Sequence, residues 1–87
     1  MDLEIENRLR KVLHNDLFVE ASPEEIELDD SLRAVHGLDS LGFTELRVQC
    51  EDLFGVRIRD DDFTPDNFQT LRSVADLVRR LKRSETA

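Results

Sequence analysis

Ser40 is the residue of this 87-residue chain best placed to take part in chemistry. It stands just before a run of helical apolar spacing: Phe43, Leu46, Cys50, Leu53 and Phe54. A serine there ordinarily caps the helix, accepting a hydrogen bond from a free backbone N–H of the first turn. The same N–H groups and the positive end of the helix dipole favour an anion, so a phosphodiester on Ser40 would be tolerated. No Ser-His-Asp or Cys-His arrangement and no glycine-rich phosphate loop accompanies it. Cys50 is the single cysteine, which excludes an intramolecular disulfide and a cysteine-based zinc site. Its place on the apolar stripe predicts a small buried hydrophobe. His14 is expected on the surface of the first helix, and His36 in a solvated loop four residues before Ser40. With no histidine or cysteine cluster, no structural metal is predicted. Asp60-Asp61-Asp62 and Asp66 invite a calcium-loop reading. A loop starting at Asp60 puts Pro65 at the glycine position and Leu71 at the terminal glutamate; one starting at Asp62 ends on Ser73. Both registers fail, and the acids are read as solvated turn residues.

Three segments have the period needed to position these residues. From Leu3 to Phe18, Ile5, Leu9, Val12, Leu13 and Leu17 share one stripe. The second helix is expected from Ser40 to Phe54, ended by Gly55 at its C′ position. The third segment runs from Thr70, a plausible N-cap, to Lys82, with Leu71, Val74, Ala75, Val78 and Leu81 at helical spacing. Between the first two lies a long connection, residues 19–39, in which Ser22-Pro23-Glu24-Glu25 reads as a capped turn. Ile26, Leu28, Leu32, Val35 and Leu38 are expected to pin this loop to the helices. Val56 and Ile58 suit a short extended stretch, and Pro65-Asp66-Asn67-Phe68 one further helical turn anchored by Phe63 and Phe68. The predicted fold is all-α: a small four-helix bundle with a long loop between helices 1 and 2 and a short third helix. It forms a single domain over residues 1–87, with a core at about 3–82 and a short polar tail.

Charge narrows the partners. The formal net charge is −8, and residues 21–69 hold thirteen acids against four bases, whereas residues 70–87 hold two acids against five bases. An acidic middle repels nucleic acid and anionic lipid and attracts basic protein surfaces. The basic end (Arg79, Arg80, Lys82, Arg83) reads as a solvated helix terminus, favoured by the dipole. No apolar run approaches a membrane span, and the acidic start differs from a signal peptide, so a reducing cytoplasm is expected. Leu41, Thr44 and Val48 lie beside the core stripe of the second helix, among Glu45 and Asp52. Such a face suits docking, but scattered exposed Leu and Val are normal and by periodicity alone need no such explanation.

The run Gly37-Leu38-Asp39-Ser40-Leu41-Gly42-Phe43-Thr44-Glu45-Leu46 resembles the attachment site of the acyl and peptidyl carrier protein family. Leu53-Phe54-Gly55-Val56-Arg57-Ile58 and Phe63-Thr64-Pro65-Asp66-Asn67-Phe68 resemble the segments that follow in discrete, single-domain carriers, and the elements come in the family's order. The resemblance implies a covalent 4′-phosphopantetheine arm on Ser40, with Asp39 and Leu41 beside it. A phosphopantetheinyl transferase would attach the arm from coenzyme A with magnesium. The chain would then be no enzyme but a carrier, loaded by an acyl- or aminoacyl-loading enzyme and presented to downstream synthases or transferases as a monomer. Docking would run through Leu41, Thr44, Glu45, Val48 and Asp52. Gly42, where many fatty-acid carriers have an acid, and Arg47 depart from a fatty-acid synthase pattern. Leu41-Gly42-Phe43-Thr44 resembles discrete carriers of secondary-metabolite pathways, and the acidity of the chain turns the expectation toward an acyl or polyketide-type cargo. An aminoacyl, peptidyl or D-alanyl carrier is the alternative, and a helical interaction domain without an arm the rival from another class.

Overall fold

The apolar stripes become helices because each finds a neighbour to cover it. The computed structural model describes the backbone of residues 3–86 and the side chains of residues 3–83. Helix α1 spans Glu4–Asn15, α2 Ser40–Phe54 and α3 Leu71–Thr86, and a 3-10 turn at Pro23–Glu25 interrupts the long loop. Leu9, Leu13, Ile26, Leu32, Leu46, Ile58, Leu71, Val74, Leu77 and Val78 are almost wholly buried in one core. Burying one such side chain stabilises by about 1.5–3 kcal/mol, so the core outweighs any single surface contact.

Helix α1 stops three residues earlier than its spacing suggests. The N–H groups of Asp16 and Leu17 both turn back to the Val12 carbonyl, at 2.9 and 3.1 Å. Phe18 then takes a left-handed backbone with φ 59° and is 84% exposed. His14, expected on the surface, is half-buried instead, with Nδ1 3.1 Å from the Val19 carbonyl and 3.0 Å from that of Ala21. It ties the departing chain back to the helix.

The long loop is held at several points. At its 3-10 turn, the Glu25 carboxylate accepts from both the N–H and the hydroxyl of Ser22. Those bonds, the backbone one foremost, hold the Glu25 carboxyl below its ordinary range. Ile26, Leu32 and Leu38 are buried and Leu28 is partly so. Val35 is 60% exposed and does not anchor. It sits in a tight turn, where its N–H meets the Ser31 carbonyl and that of Gly37 meets Arg33, which leaves the side chain facing outward. Ser31 and Thr70 form an isolated antiparallel bridge. Leu32 N–H donates to Gln69 and Arg72 N–H to Leu28, while the Arg72 guanidinium makes two bonds to Asp29. The loop is thus fastened to the start of α3. That start is closed by a reciprocal pair, Ser73 N–H to the Thr70 hydroxyl and Thr70 N–H to the Ser73 hydroxyl.

Residues 64–68 supply the extra turn, with Phe68 N–H donating to the Thr64 carbonyl at 3.1 Å and Asn67 N–H to the Thr64 hydroxyl at 3.2 Å. Pro65 and the surrounding turns keep it from growing further. Among the described residues the all-helical fold is therefore three α-helices and a 3-10 turn, and the fourth member of the expected bundle is this single turn. Phe68 is buried there and meets Phe63 edge to face, ring centres 4.9 Å apart.

One buried charge belongs to the frame. Glu6 is 4% exposed and accepts a 2.7 Å hydrogen bond from Arg79, 73 positions along the chain. Burial pushes its carboxyl up, but the Arg79 hydrogen bond and charge, with lesser help from its backbone and Arg10, leave it below its ordinary value. Arg79 is therefore not a solvated helix-end charge; it fastens α3 to α1.

Candidate functional site

Ser40 is positioned by the residues on either side of it. Asp39 has an extended backbone and its carboxylate accepts from Gly42 N–H at 2.8 Å, so Asp39, not Ser40, caps α2. The cap falls one residue earlier than expected because the carboxylate of Asp39 reaches the free N–H that the Ser40 hydroxyl was expected to meet. Ser40 is the first helical residue, exposed, and its hydroxyl has no hydrogen-bond partner among the described residues. Gly42 has a packing reason in addition to its sequence oddity: a Cβ there would lie 2.5 Å from Leu38 Cδ2. At the far end Gly55 takes φ 65°, and its N–H closes on the Glu51 carbonyl as a C-terminal cap.

Around the helix, Leu46, Cys50 and Phe54 face the core. Two residues assigned to that stripe leave it. Leu53 is 39% exposed, and Phe43 is only partly buried. The Leu46–Cys50–Phe54 line is buried in the core, whereas Phe43 packs against it only in part and borders the groove that residues 63–66 and 68–69 line as well. Cys50 is buried as expected, and burial foremost, with the charge of Glu51, pushes its thiol up to about 12. Arg47 does not add free positive charge to the helix surface. Its Nε donates to the Ile58 carbonyl at 3.1 Å, its NH2 reaches Asp60 at 3.2 Å, and its head lies 5.0 Å from the Phe63 ring centre.

The outward face holds every residue expected to dock. Leu41 is 76% exposed, Val48 43%, and Thr44, Glu45 and Asp52 are exposed as well. The Thr44 hydroxyl donates back to the Ser40 carbonyl at 2.9 Å. The approach to Ser40 is braced by His36. Expected in solvent, its side chain is 5% exposed, with Nε2 3.1 Å from the Asp30 carboxylate. That carboxylate also accepts from Glu27 N–H.

Beside Ser40 opens a groove of about 510 Å³. Ser40, Phe43 and Thr44 form one wall, Phe63, Pro65 and Phe68 the other, and Arg33 stands at its edge with its guanidinium 5.6 Å from the Phe43 ring centre. Sequence reasoning did not single out Arg33. Phe43 was visible as an aromatic residue that periodicity assigned to the core, and Phe63 as an anchor of the extra turn; both pack partly against the core and border the groove.

Residues 7–81 match the family model described as a phosphopantetheine attachment site. The chain belongs to that family. An acyl carrier protein of Nitratidesulfovibrio vulgaris is 31% identical over 83 residues, 95% of this chain and all of its own length. One of Rhodococcus erythropolis is 35% identical over 72% of this chain, and the match spans 64% of that protein. The solution structure of a holo acyl carrier protein from Nitrosomonas europaea superposes with TM-score 0.80 at 23% identity, over 93% of this chain and 98% of that one. A chain in the crystal structure of an engineered Bradyrhizobium japonicum glycine:[carrier protein] ligase with a carrier protein from Agrobacterium tumefaciens and ATP superposes with TM-score 0.78 at 19% identity, over 88% of this chain and 99% of that one. The fold is that of carrier proteins. The chain is a non-catalytic carrier that works with partner enzymes, and its cofactor is a covalently attached 4′-phosphopantetheine. The site fits that group: an exposed serine hydroxyl that no cap occupies, opening on a groove within the size range of small-molecule sites. Among the described residues no helix is long and apolar enough to cross a membrane.

Proposed function

We propose that Ser40 is the attachment point of the 4′-phosphopantetheine arm, and that the chain holds an acyl or polyketide-type intermediate for enzymes of secondary metabolism. The observation that carries this is the position of Ser40: exposed, first in α2, with its hydroxyl left unoccupied because Asp39 does the capping. When bound, the arm supplies a terminal thiol that carries cargo as a thioester. Asp39 keeps the helix start intact whether or not Ser40 is modified. Leu41, Thr44, Glu45, Val48 and Asp52 offer an apolar patch in an acidic frame to basic enzyme surfaces, which favours fast, salt-sensitive encounter. The partners are a phosphopantetheinyl transferase, a loading enzyme and downstream synthases or transferases. The chain acts as a single-domain monomer in the cytoplasm.

A second cargo class has its own support. The likeness to chains in two glycine:[carrier protein] ligase structures favours an aminoacyl thioester; a D-alanyl or peptidyl cargo belongs to the same class. The apolar, aromatic walls of the groove favour the acyl reading.

Incubation with coenzyme A, magnesium and a broad-specificity phosphopantetheinyl transferase tests the attachment. The intact mass should rise by one phosphopantetheine group in the unaltered chain and stay unchanged in Ser40→Ala of equal helicity. Equal gain in both would move the arm to another residue. Loading the modified chain in parallel with acyl-transferring and amino-acid-activating enzymes then separates the two cargo classes.

A further inference from the structure

We infer that Arg33 is the counter-charge of the arm's phosphodiester and fixes the direction in which the arm leaves Ser40. This rests on the reading of Ser40 as the attachment point. Backbone geometry brings the two residues together although they are seven positions apart. Leu38 N–H closes on the Leu32 carbonyl at 3.0 Å, and Gly37 N–H on that of Arg33 at 3.1 Å. The left-handed φ of 72° at Gly37 permits this reversal. The chain from 32 to 38 therefore folds back on itself and brings Arg33 to the groove that Ser40 also lines. Its guanidinium then lies over Phe43, one turn into α2, and both it and Ser40 border the groove.

Charge gives this placement its meaning. Among the groove-lining residues Arg33 is the one cation and Asp66 the one acid. A phosphodiester on Ser40 adds a negative charge next to Asp39, in a chain already at −8. Like charge disfavours it there; a guanidinium within reach favours it. Arg33 is exposed, and among the described residues no carboxylate pairs with it. It rests on an aromatic face, a weaker hold at an exposed site than a charge-assisted pair with phosphate. Its planar fork suits phosphate oxygens in a way a lysine head does not. Arg47 makes the contrast. It also lies over a ring, Phe63, but its head is committed to the Ile58 carbonyl and Asp60.

The pairing draws the base of the arm toward the Phe43 side of the groove. It also takes the guanidinium off Phe43 and leaves that ring open to whatever enters between it and Phe63.

The test uses the full chain before and after enzymatic attachment of the arm, with intact mass as the check. Two signals are followed by NMR: the carbon-bound δ protons of Arg33 with the ring protons of Phe43, and the phosphorus resonance of the arm. On attachment, the Arg33 and Phe43 signals are expected to shift together. In Arg33→Gln the arm still attaches, but the Phe43 response is lost and the phosphorus resonance moves; in Arg33→Lys both effects are intermediate. Arg59→Gln, an exposed cation outside the groove, leaves the phosphorus resonance in place. Coincident Arg33 signals before and after a confirmed mass gain would overturn the inference while the attachment reading stands. So would an Arg33 response that begins only when the arm carries a dicarboxylic acyl group, which would make Arg33 a cargo contact instead. Failure to gain mass would remove the Ser40 reading and this inference together, and the mass spectrum alone would show it.

Discussion

The two ends of α2 are built for different tasks. Ser40 and Phe54 are separated by about 21 Å of helix rise. At the Phe54 end the ring is buried, beside a smaller cleft of about 250 Å³ that it shares with Ile5 of α1 and Arg79 of α3. The Glu6–Arg79 bond clamps those two helices. At the Ser40 end the helix begins in solvent, Leu41 projects outward, and the groove wall opposite is a series of turns instead of a helix. The clamp between helices lies at the Phe54 end, and the Ser40 end, the proposed attachment point, is left accessible. A carrier must be gripped by several enzymes, and this division lets one end be handled without disturbing the other.

The comparison breaks most readily at its centre. Leu46→Ala, facing the core, should cost about 2–5 kcal/mol in denaturant unfolding. A loss below about 1 kcal/mol would mean that α2 is not anchored by that line of side chains.

Arg79→Met comes next. It leaves the buried Glu6 carboxylate without its main partner and should cost about 2–3 kcal/mol, less than for fully buried pairs because Arg79 is 35% exposed. The pH dependence supplies the sign. In the unaltered chain Glu6 is held below its ordinary value of 4.5, so its contribution is present above that value and disappears as pH falls through the lowered folded-state value. Arg79→Met raises the folded-state value toward the unfolded one, and the stability lost on acidification should shrink. Unfolding curves across that range, for both chains, check it. Equal acid losses would show that the clamp is not electrostatic.

Gly42→Ala sharpens the boundary between the two ends. Helix propensity alone predicts a gain of about 1 kcal/mol. The close approach of Leu38 predicts a net loss of about 1 kcal/mol instead, because the new methyl group must displace that side chain. A higher thermal midpoint in the variant would refute the packing argument. The smallest stability change, within about 0.5 kcal/mol, is expected for Leu41→Ala. That variant should nevertheless be modified more slowly by a phosphopantetheinyl transferase. An unchanged rate would take Leu41 out of the docking face.

Much of the frame was legible in the sequence because it is local. Leu9, Val12 and Leu13, and Leu71, Val74, Ala75 and Val78, are buried where their period placed them. Gly55 ends α2, and the Thr70 cap forms. What escaped depends on distant partners. A helical period cannot say how wide a strip the neighbours will cover, so Phe43 and Leu53 were assigned to the core. Val35 looked like an anchor because it is apolar, but its turn points it outward. The roles of Glu6, Arg47 and His36 depend on partners in other segments. The cap differed by one residue because Asp39 and Ser40 are both good capping types, and only geometry chooses between them. That single step also changes the chemistry, since it leaves the Ser40 hydroxyl unengaged.

Cys50 carries a last consequence. Its thiol is sealed in the core and protonated far above neutrality, so the folded polypeptide offers no competing nucleophile of its own kind to a thioester. A cargo held on that arm would lie within reach of the surface of its own carrier. Here it meets no sulfur to which it could be lost. The same seclusion makes the arm the sole address for thiol-directed reagents, so that dyes or crosslinkers applied to the loaded-ready, folded carrier would report on the tether alone.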